Sequence, residues 1–354
     1  MLNFTLGPVQ SFSELLKISG NDAPYFRTDE FSNIMLENER LMLKFSGAPP
    51  GSRAVFITGS GTAAMEASVI NTLTDDDRAL IVNGGSFGAR FCKLCDIHGV
   101  PYDMVKLESG HTVHMCDLEK FESRKYTSFL INNNETSTGV KYDMNLISSY
   151  CKDNGEFLIV DNISSFLCDE FNMEKLGVDV MIVGSQKALA CHPGVSIVVL
   201  SPRAIERVKR SSIKCMYLNM KSMLEDQDRG QTPFTPAVIV LLQINKRLKD
   251  IERNGGLNTE IARVRDLAKY FRAGIQELPL RIYSESLGNA LTPVCPINKV
   301  SAYDIFLELK NKYDIWVCPN GRELKDKILR VGHIGCLTFK EYDKLFNALR
   351  TILQ

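Results

Sequence analysis

Phe157-Leu-Ile-Val-Asp161-Asn-Ile-Ser-Ser-Phe166 opens as a short apolar strand that ends on an acid, and Val180-Met-Ile-Val-Gly184-Ser-Gln-Lys187 is a second such strand that delivers a lysine. Neither run alternates apolar with polar residues, which is the pattern of strands covered on both faces. Working outward, 53–58, 79–83, 127–132 and 195–200 read the same way, and helical patterns over 62–73, 87–98 and 143–154 separate them. Strand–helix alternation of this kind predicts an α/β fold with a mostly parallel sheet. Ligands of such sheets gather at the carboxyl ends of the strands, where Asp161 and Lys187 fall.

After Pro236 the pattern lengthens into amphipathic helices over 237–253 and 258–277, separated by Asn254-Gly-Gly256, where a left-handed turn can end the first. Strands near 291–298 and 314–318, a helix near 302–312, a strand near 328–332 and a last helix over 339–353 then predict a smaller α+β domain. The expected division is a large domain over 15–250 and a small one made of 251–354 with the N-terminal segment 1–14.

Composition narrows the function. The 354 residues are 44% hydrophobic and 24% charged, and Lys+Arg and Asp+Glu balance at 42 each. No cationic excess exists to hold a nucleic-acid backbone or an anionic membrane, so a small-molecule substrate is expected. No run approaches the roughly 20 apolar residues of a membrane span, and the N-terminus lacks a basic stretch followed by an apolar one; the chain reads as cytoplasmic. Ten cysteines are scattered through hydrophobic segments and read as reduced thiols. Cys92 and Cys95 have no second pair, and His98, His111 and His114 lack ligand spacing, so no metal is expected and these histidines are assigned to the surface.

Thr58-Gly-Ser-Gly-Thr62 follows a strand and opens a helix, which aims backbone N–H groups at an anion such as one phosphate. Taken singly, an acid at a strand end caps a turn and a lysine after a strand is solvated. Together, Asp161 and Lys187 supply what pyridoxal phosphate requires: a carboxylate that keeps the pyridine nitrogen protonated, and an amine that couples to an aldehyde and moves protons.

With these residues in view, Val160-Asp161-Asn-Ile-Ser-Ser-Phe166, Gly184-Ser-Gln-Lys187-Ala-Leu and His192-Pro-Gly194 resemble the cofactor signature of the class V aminotransferases of fold type I. Leu6-Gly-Pro8, Gly59-Ser-Gly-Thr62, Asn83-Gly-Gly-Ser-Phe-Gly88, Asn134-Glu-Thr-Ser-Thr-Gly139, Phe234-Thr-Pro236 and Leu329-Arg-Val-Gly-His-Ile-Gly335 follow in the family order. The resemblance implies that Ser60, Gly61 and Thr62 hold the cofactor phosphate, that Phe87 stacks on the ring and Ile163 packs on its other face. It further implies that Thr136 bonds near the ring hydroxyl and that Gln186 lies beside the phosphate or ring. Arg330 matches the arginine that grips the substrate carboxylate, and Gly7 lies in the segment passing the substrate site. Thr235 matches a threonine that reaches the phosphate of the neighbouring subunit, which implies a homodimer with shared sites; Thr232 offers a second hydroxyl there.

The implied reaction is ping-pong transfer of an amino group from a small donor to pyruvate or glyoxylate. Met223–Thr235 and Asn83–Arg90 resemble the 2-aminoethylphosphonate branch, but Thr232-Pro233 stands where that branch places Trp-Arg, so alanine and serine remain open as donors. A lyase or desulfurase of the same fold, or a non-catalytic regulatory descendant, would keep Asp161 and Lys187. Cys191 and His192 are expected to shape the turn after the lysine.

Overall fold

The computed structural model describes residues 1–354 except 123 and 299. The larger sheet is built from β1 (Arg53–Thr58), β2 (Ala79–Asn83), β3 (Tyr102–Lys106), β4 (Ser128–Asn132), β5 (Phe157–Asp161), β6 (Val180–Gly184) and β7 (Val195–Leu200). Their order is β1-β7-β6-β5-β4-β2-β3, and only β7 runs antiparallel to its neighbours. Alternate residues of one strand feed two different cores: Leu158 and Val160 enter one, Phe157 and Ile159 the other. A strand apolar on both faces is thus buried between two layers of helices.

On one side lie α1 (Asp29–Ser46) and, over the other half of the sheet, α4 (Met144–Asn154); α2 (Gly61–Thr72) and α3 (Gly88–His98) lie on the opposite side. The edge strand β3 escaped sequence reading because only Val105 of its five residues is buried, so no apolar run announces it. The helix α1 was not anticipated either; Thr28 caps it by accepting the Phe31 N–H, and Gly47, at φ 59°, ends it.

Then come α5 (Val238–Arg253) and α6 (Gly256–Gly274), separated as expected by glycines in left-handed conformation, Gly255 at φ 100° and Gly256 at φ 78°. A second sheet follows, from β8 (Leu280–Ile282), β9 (Leu291–Pro296), β10 (Cys318–Pro319) and β11 (Leu329–Gly332), antiparallel in the order β8-β9-β11-β10. Helices α7 (Ala302–Tyr313) and α8 (Phe339–Leu353) complete its core with Phe4, Phe271, Val294 and Val331. The single strand expected near 314–318 is divided: Ile315–Trp316 pairs in parallel with Leu2–Asn3, whereas β10 pairs with β11. The N-terminal segment is thereby stitched to the second sheet, and the Gly332 N–H donates to Phe4 O at 2.7 Å.

Candidate active site

Asp161 stands at the carboxyl end of β5, level with Asn132 of β4 and Ile182 of β6. It is buried, and its Oδ1 accepts the Ile163 N–H at 2.9 Å. Burial pushes the carboxyl up to about 6, against the pull of the Ile163 N–H and the Lys187 ammonium. Lys187 follows β6 in a pinned turn: Ser185 Oγ donates to His192 O at 2.7 Å, and the Cys191 N–H donates to Ser185 O at 3.0 Å. The His192 N–H donates to Gln243 Oε1 at 3.0 Å. Cys191 and His192 thus shape the turn, as expected. Burial depresses the Lys187 amine; Cys318 and Asp161 oppose that effect and Arg330 adds to it.

Strand β1 leads through Gly59 and Ser60 into α2, and Ser60 is exposed with no capping bond from its hydroxyl. The helix begins on Gly61, where a Cβ would lie 2.3 Å from Ile163 Cδ1. Thr62 Oγ1 accepts Arg90 Nη1 at 2.9 Å, leaving its own proton free to donate outward. The Arg90 guanidinium sits 4.7 Å from the centre of the Phe87 ring, so the start of α2 and Phe87 are tied together. Gln186 folds back beside Gly184, where a Cβ would meet its Oε1 at 2.9 Å and Ile163 Cγ2 at 3.2 Å.

Arg330 lies on β11 directly across from Cys318 of β10. Its Nη1 donates to Thr136 O at 2.9 Å and its Nη2 to Pro319 O, while Nε is buried with no partner among the described residues. Gly7 passes so close to the amine that a Cβ would lie 2.9 Å from Lys187 Cδ and 3.1 Å from Gln186 O; its φ of 140° also favours glycine. Asp161, Ile163, Gly61, Gln186, Lys187, Gly7, Arg330 and Thr136 are therefore linked into one neighbourhood.

Thr235 stands apart. It is exposed, and its segment is fastened to the end of β1 by the Ala237 N–H donating to Thr58 Oγ1 at 3.0 Å and by Phe234 stacked 5.3 Å from Tyr217, whose hydroxyl donates to Thr58 O at 3.2 Å. Thr232 does not offer a second hydroxyl: it is buried and spends its proton on Phe234 O at 2.7 Å. The histidines expected at the surface divide, His98 being half-buried 2.9 Å from Glu66 while His111 and His114 are exposed beside Glu285. Among the described residues no group of three His, Cys, Asp or Glu is arranged for a metal.

Sequence reading passed over Glu135, whose carboxylate accepts the N–H groups of Phe87 and Gly88, both at 3.1 Å. The available signal was an acid inside an otherwise neutral run, Asn132-Asn-Asn-Glu135-Thr-Ser-Thr-Gly139.

These residues fit pyridoxal phosphate on their own chemistry. Asp161 receives no hydrogen bond at Oδ2 among the described residues, which suits a protonated ring nitrogen. The start of α2 with the free donors of Ser60 and Thr62 suits a phosphate, a depressed amine suits an aldehyde, and the unpartnered Arg330 Nε suits a carboxylate.

Comparison with known proteins agrees. The class-V aminotransferase family matches residues 8–324. An uncharacterized aminotransferase of Methanocaldococcus jannaschii is 29% identical over 344 residues, 95% of this chain and 88% of that protein. The L-aspartate–glyoxylate aminotransferase of Paracoccus denitrificans is 26% identical over 351 residues, 95% and 86% of the two chains. The crystal structure of alanine–glyoxylate aminotransferase from Nostoc sp. superposes with a TM-score of 0.93 at 25% identity, covering 100% of this chain and 96% of that one.

Proposed function

Because the chain belongs to the class-V aminotransferases and is therefore a pyridoxal-phosphate-dependent transaminase, we propose that it moves an amino group from a small donor to glyoxylate or pyruvate in a ping-pong cycle through Lys187. The carrying observation is that one depressed amine feels the charges of both a buried acid, Asp161, and a guanidinium, Arg330, whose Nε has no partner among the described residues. Bound pyridoxal phosphate supplies an aldehyde for primary amines and a ring that accepts the electron pair left when an α-proton departs.

Lys187 Nζ takes the proton from the substrate α-carbon; its depressed affinity keeps a larger share of the amine neutral and able to act as a base. Asp161 holds a proton at the ring nitrogen. Arg330, braced by Thr136 O and Pro319 O, orients the substrate carboxylate and so fixes which bond faces the amine. Phe87 and Ile163 wall the ring, Ser60, Gly61 and Thr62 with Gln186 take its phosphate end, and Gly7 leaves room over the amine.

The donor we assign is alanine, serine or 2-aminoethylphosphonate, with glyoxylate favoured as acceptor by the names of the Paracoccus and Nostoc relatives. The exposed hydroxyl of Thr235 supports a homodimer in which each subunit completes its partner's phosphate site. Residues 15–250 would form the cofactor-binding body, and 251–354 with 1–14 the body carrying Arg330. Ten free cysteines support action in the reducing cytoplasm; no helix among the described residues is long and apolar enough to cross a membrane.

A panel of the three donors against glyoxylate and pyruvate, followed by coupled detection of each keto product, tests this reading. Transfer from at least one donor, with parallel-line double-reciprocal plots, is expected. No transfer to either acceptor from any of them would reject it.

A further inference from the structure

The loop that carries Phe87 is held by a buried carboxylate as well as by packing. Glu135 is 0% exposed, yet both of its carboxylate oxygens accept hydrogen bonds. Its Oε2 takes the Phe87 and Gly88 N–H groups at 3.1 Å and Asn132 Nδ2 at 3.3 Å, and its Oε1 takes the Ser137 N–H at 3.1 Å and the Ser137 hydroxyl. Gly85 is small for the same reason: a Cβ there would lie 2.5 Å from Glu135 Cδ. A carboxylate buried this deeply is costly unless so satisfied, and an apolar side chain would fill the volume at less expense.

What an apolar residue cannot do is set the field. Asn132, which bonds Glu135, is the strand neighbour of Asp161, so the two acids flank one residue at the carboxyl end of the sheet. We propose that Glu135 is a second carboxylate of the active site, a positioning residue that fixes the Phe87 wall and the start of α3 while adding negative potential beside Asp161. Two acids rather than one then favour the protonated form of the bound ring. The effect on Asp161 agrees: the Glu135 charge works to raise its carboxyl. The inference rests on the reading that the ring lies between Phe87 and Ile163 above Asp161.

The test compares the parent with Glu135→Gln, Glu135→Ala and Asp161→Asn, each reconstituted with pyridoxal phosphate. The measurements are cofactor dissociation by equilibrium dialysis, the pH midpoint of the bound cofactor's visible absorbance, and kcat and KM. Glu135→Gln keeps an acceptor for Phe87 and Gly88 but loses the charge. Its cofactor affinity should stay within about threefold of the parent, while its pH midpoint falls by roughly half a unit or more and kcat drops at similar KM. Glu135→Ala loses the bonds as well, and its cofactor should dissociate about tenfold or more readily. If the alanine variant does not fold, the glutamine variant decides alone. A parental pH midpoint in Glu135→Gln overturns the proposal. Where Asp161→Asn still moves that midpoint, only the Glu135 role is refuted; where neither moves it, the placing of the ring over Asp161 falls as well.

Discussion

At Asp161 folding and catalysis make opposite demands on one carboxyl. Catalysis requires it ionised, but burial pushes it up to about 6 from an ordinary 3.8, which favours the neutral acid. A carboxyl raised on folding contributes stability that is complete below its unfolded value, near 3.9, and is lost as pH rises through the folded one. Cofactor-free Asp161→Asn should therefore outlast the parent above pH 6, by up to about 3 kcal/mol, and the two should converge below about pH 4. Urea titrations at pH 4 and pH 8 check this; equal differences at both would show that the carboxyl is not titrating there. The same variant, loaded with cofactor, should remove the α-proton about a hundredfold more slowly, near 3 kcal/mol of barrier, in single-turnover measurements.

Lys187→Ala should remove both the borohydride-sensitive visible absorbance and turnover while leaving far-UV dichroism intact. A lysine variant that still turned over at the parental rate would displace the amine from the centre of the scheme. For Arg330→Ala, we expect weaker saturation by amino donor and keto acceptor alike, because both occupy one site. Unchanged KM values for both would move the carboxylate grip elsewhere. Asp161 and Lys187 stood out as letters because each follows an apolar strand, whereas Arg330 stood out only through the resemblance of Leu329-Arg-Val-Gly-His-Ile-Gly335 to its family counterpart. Glu135 did not, because its importance lies in which backbone groups it meets, and those come from a loop remote in sequence.

Among the elements, α3 is placed by a glycine that has no room to grow. A Cβ on Gly88 would lie 2.4 Å from Val82 O and 2.8 Å from Asn83 Cα, both backbone atoms of β2 that cannot rotate away. Gly88→Ala should push the start of α3 off the sheet and carry Phe87 with it. A cost of about 1–3 kcal/mol in thermal unfolding is expected, together with weaker cofactor binding. Parental values for both would mean that β2 and α3 can separate freely. The buried strands β5 and β6 could be read directly because apolar residues serve both cores. The edge strand β3 and the short β8, with one buried residue each, carry too little apolar signal, and their pairing depends on neighbours that sequence does not reveal.

For the whole molecule, Thr235 decides whether one chain suffices. Two inactive proteins, Lys187→Ala and a Thr235 variant disabled enough to lose cofactor, are mixed under conditions of subunit exchange. With shared sites, one site of each hybrid carries both lesions and the other neither, so up to about half of the hybrid sites should recover. If hybrids form and nothing recovers, Thr235 serves its own chain. The expectation of a shared site rests in the sequence only on the resemblance of Phe234-Thr-Pro236 to its family counterpart; within one chain Thr235 is simply exposed.

Between Phe4, bonded to Gly332 beside Arg330, and Ser11, whose hydroxyl donates to Ala190 O at 2.7 Å, the chain passes over Lys187 at Gly7. The strand that bears the guanidinium and the turn that bears the amine are thus joined by a short covalent strap, in addition to whatever ligand spans them. Any carboxylate that shifts this strap on binding alters the surroundings of the amine, and linkage makes the effect mutual. The factor by which such a ligand changes the proton affinity of Lys187 is the factor by which protonating Lys187 changes the affinity for the ligand.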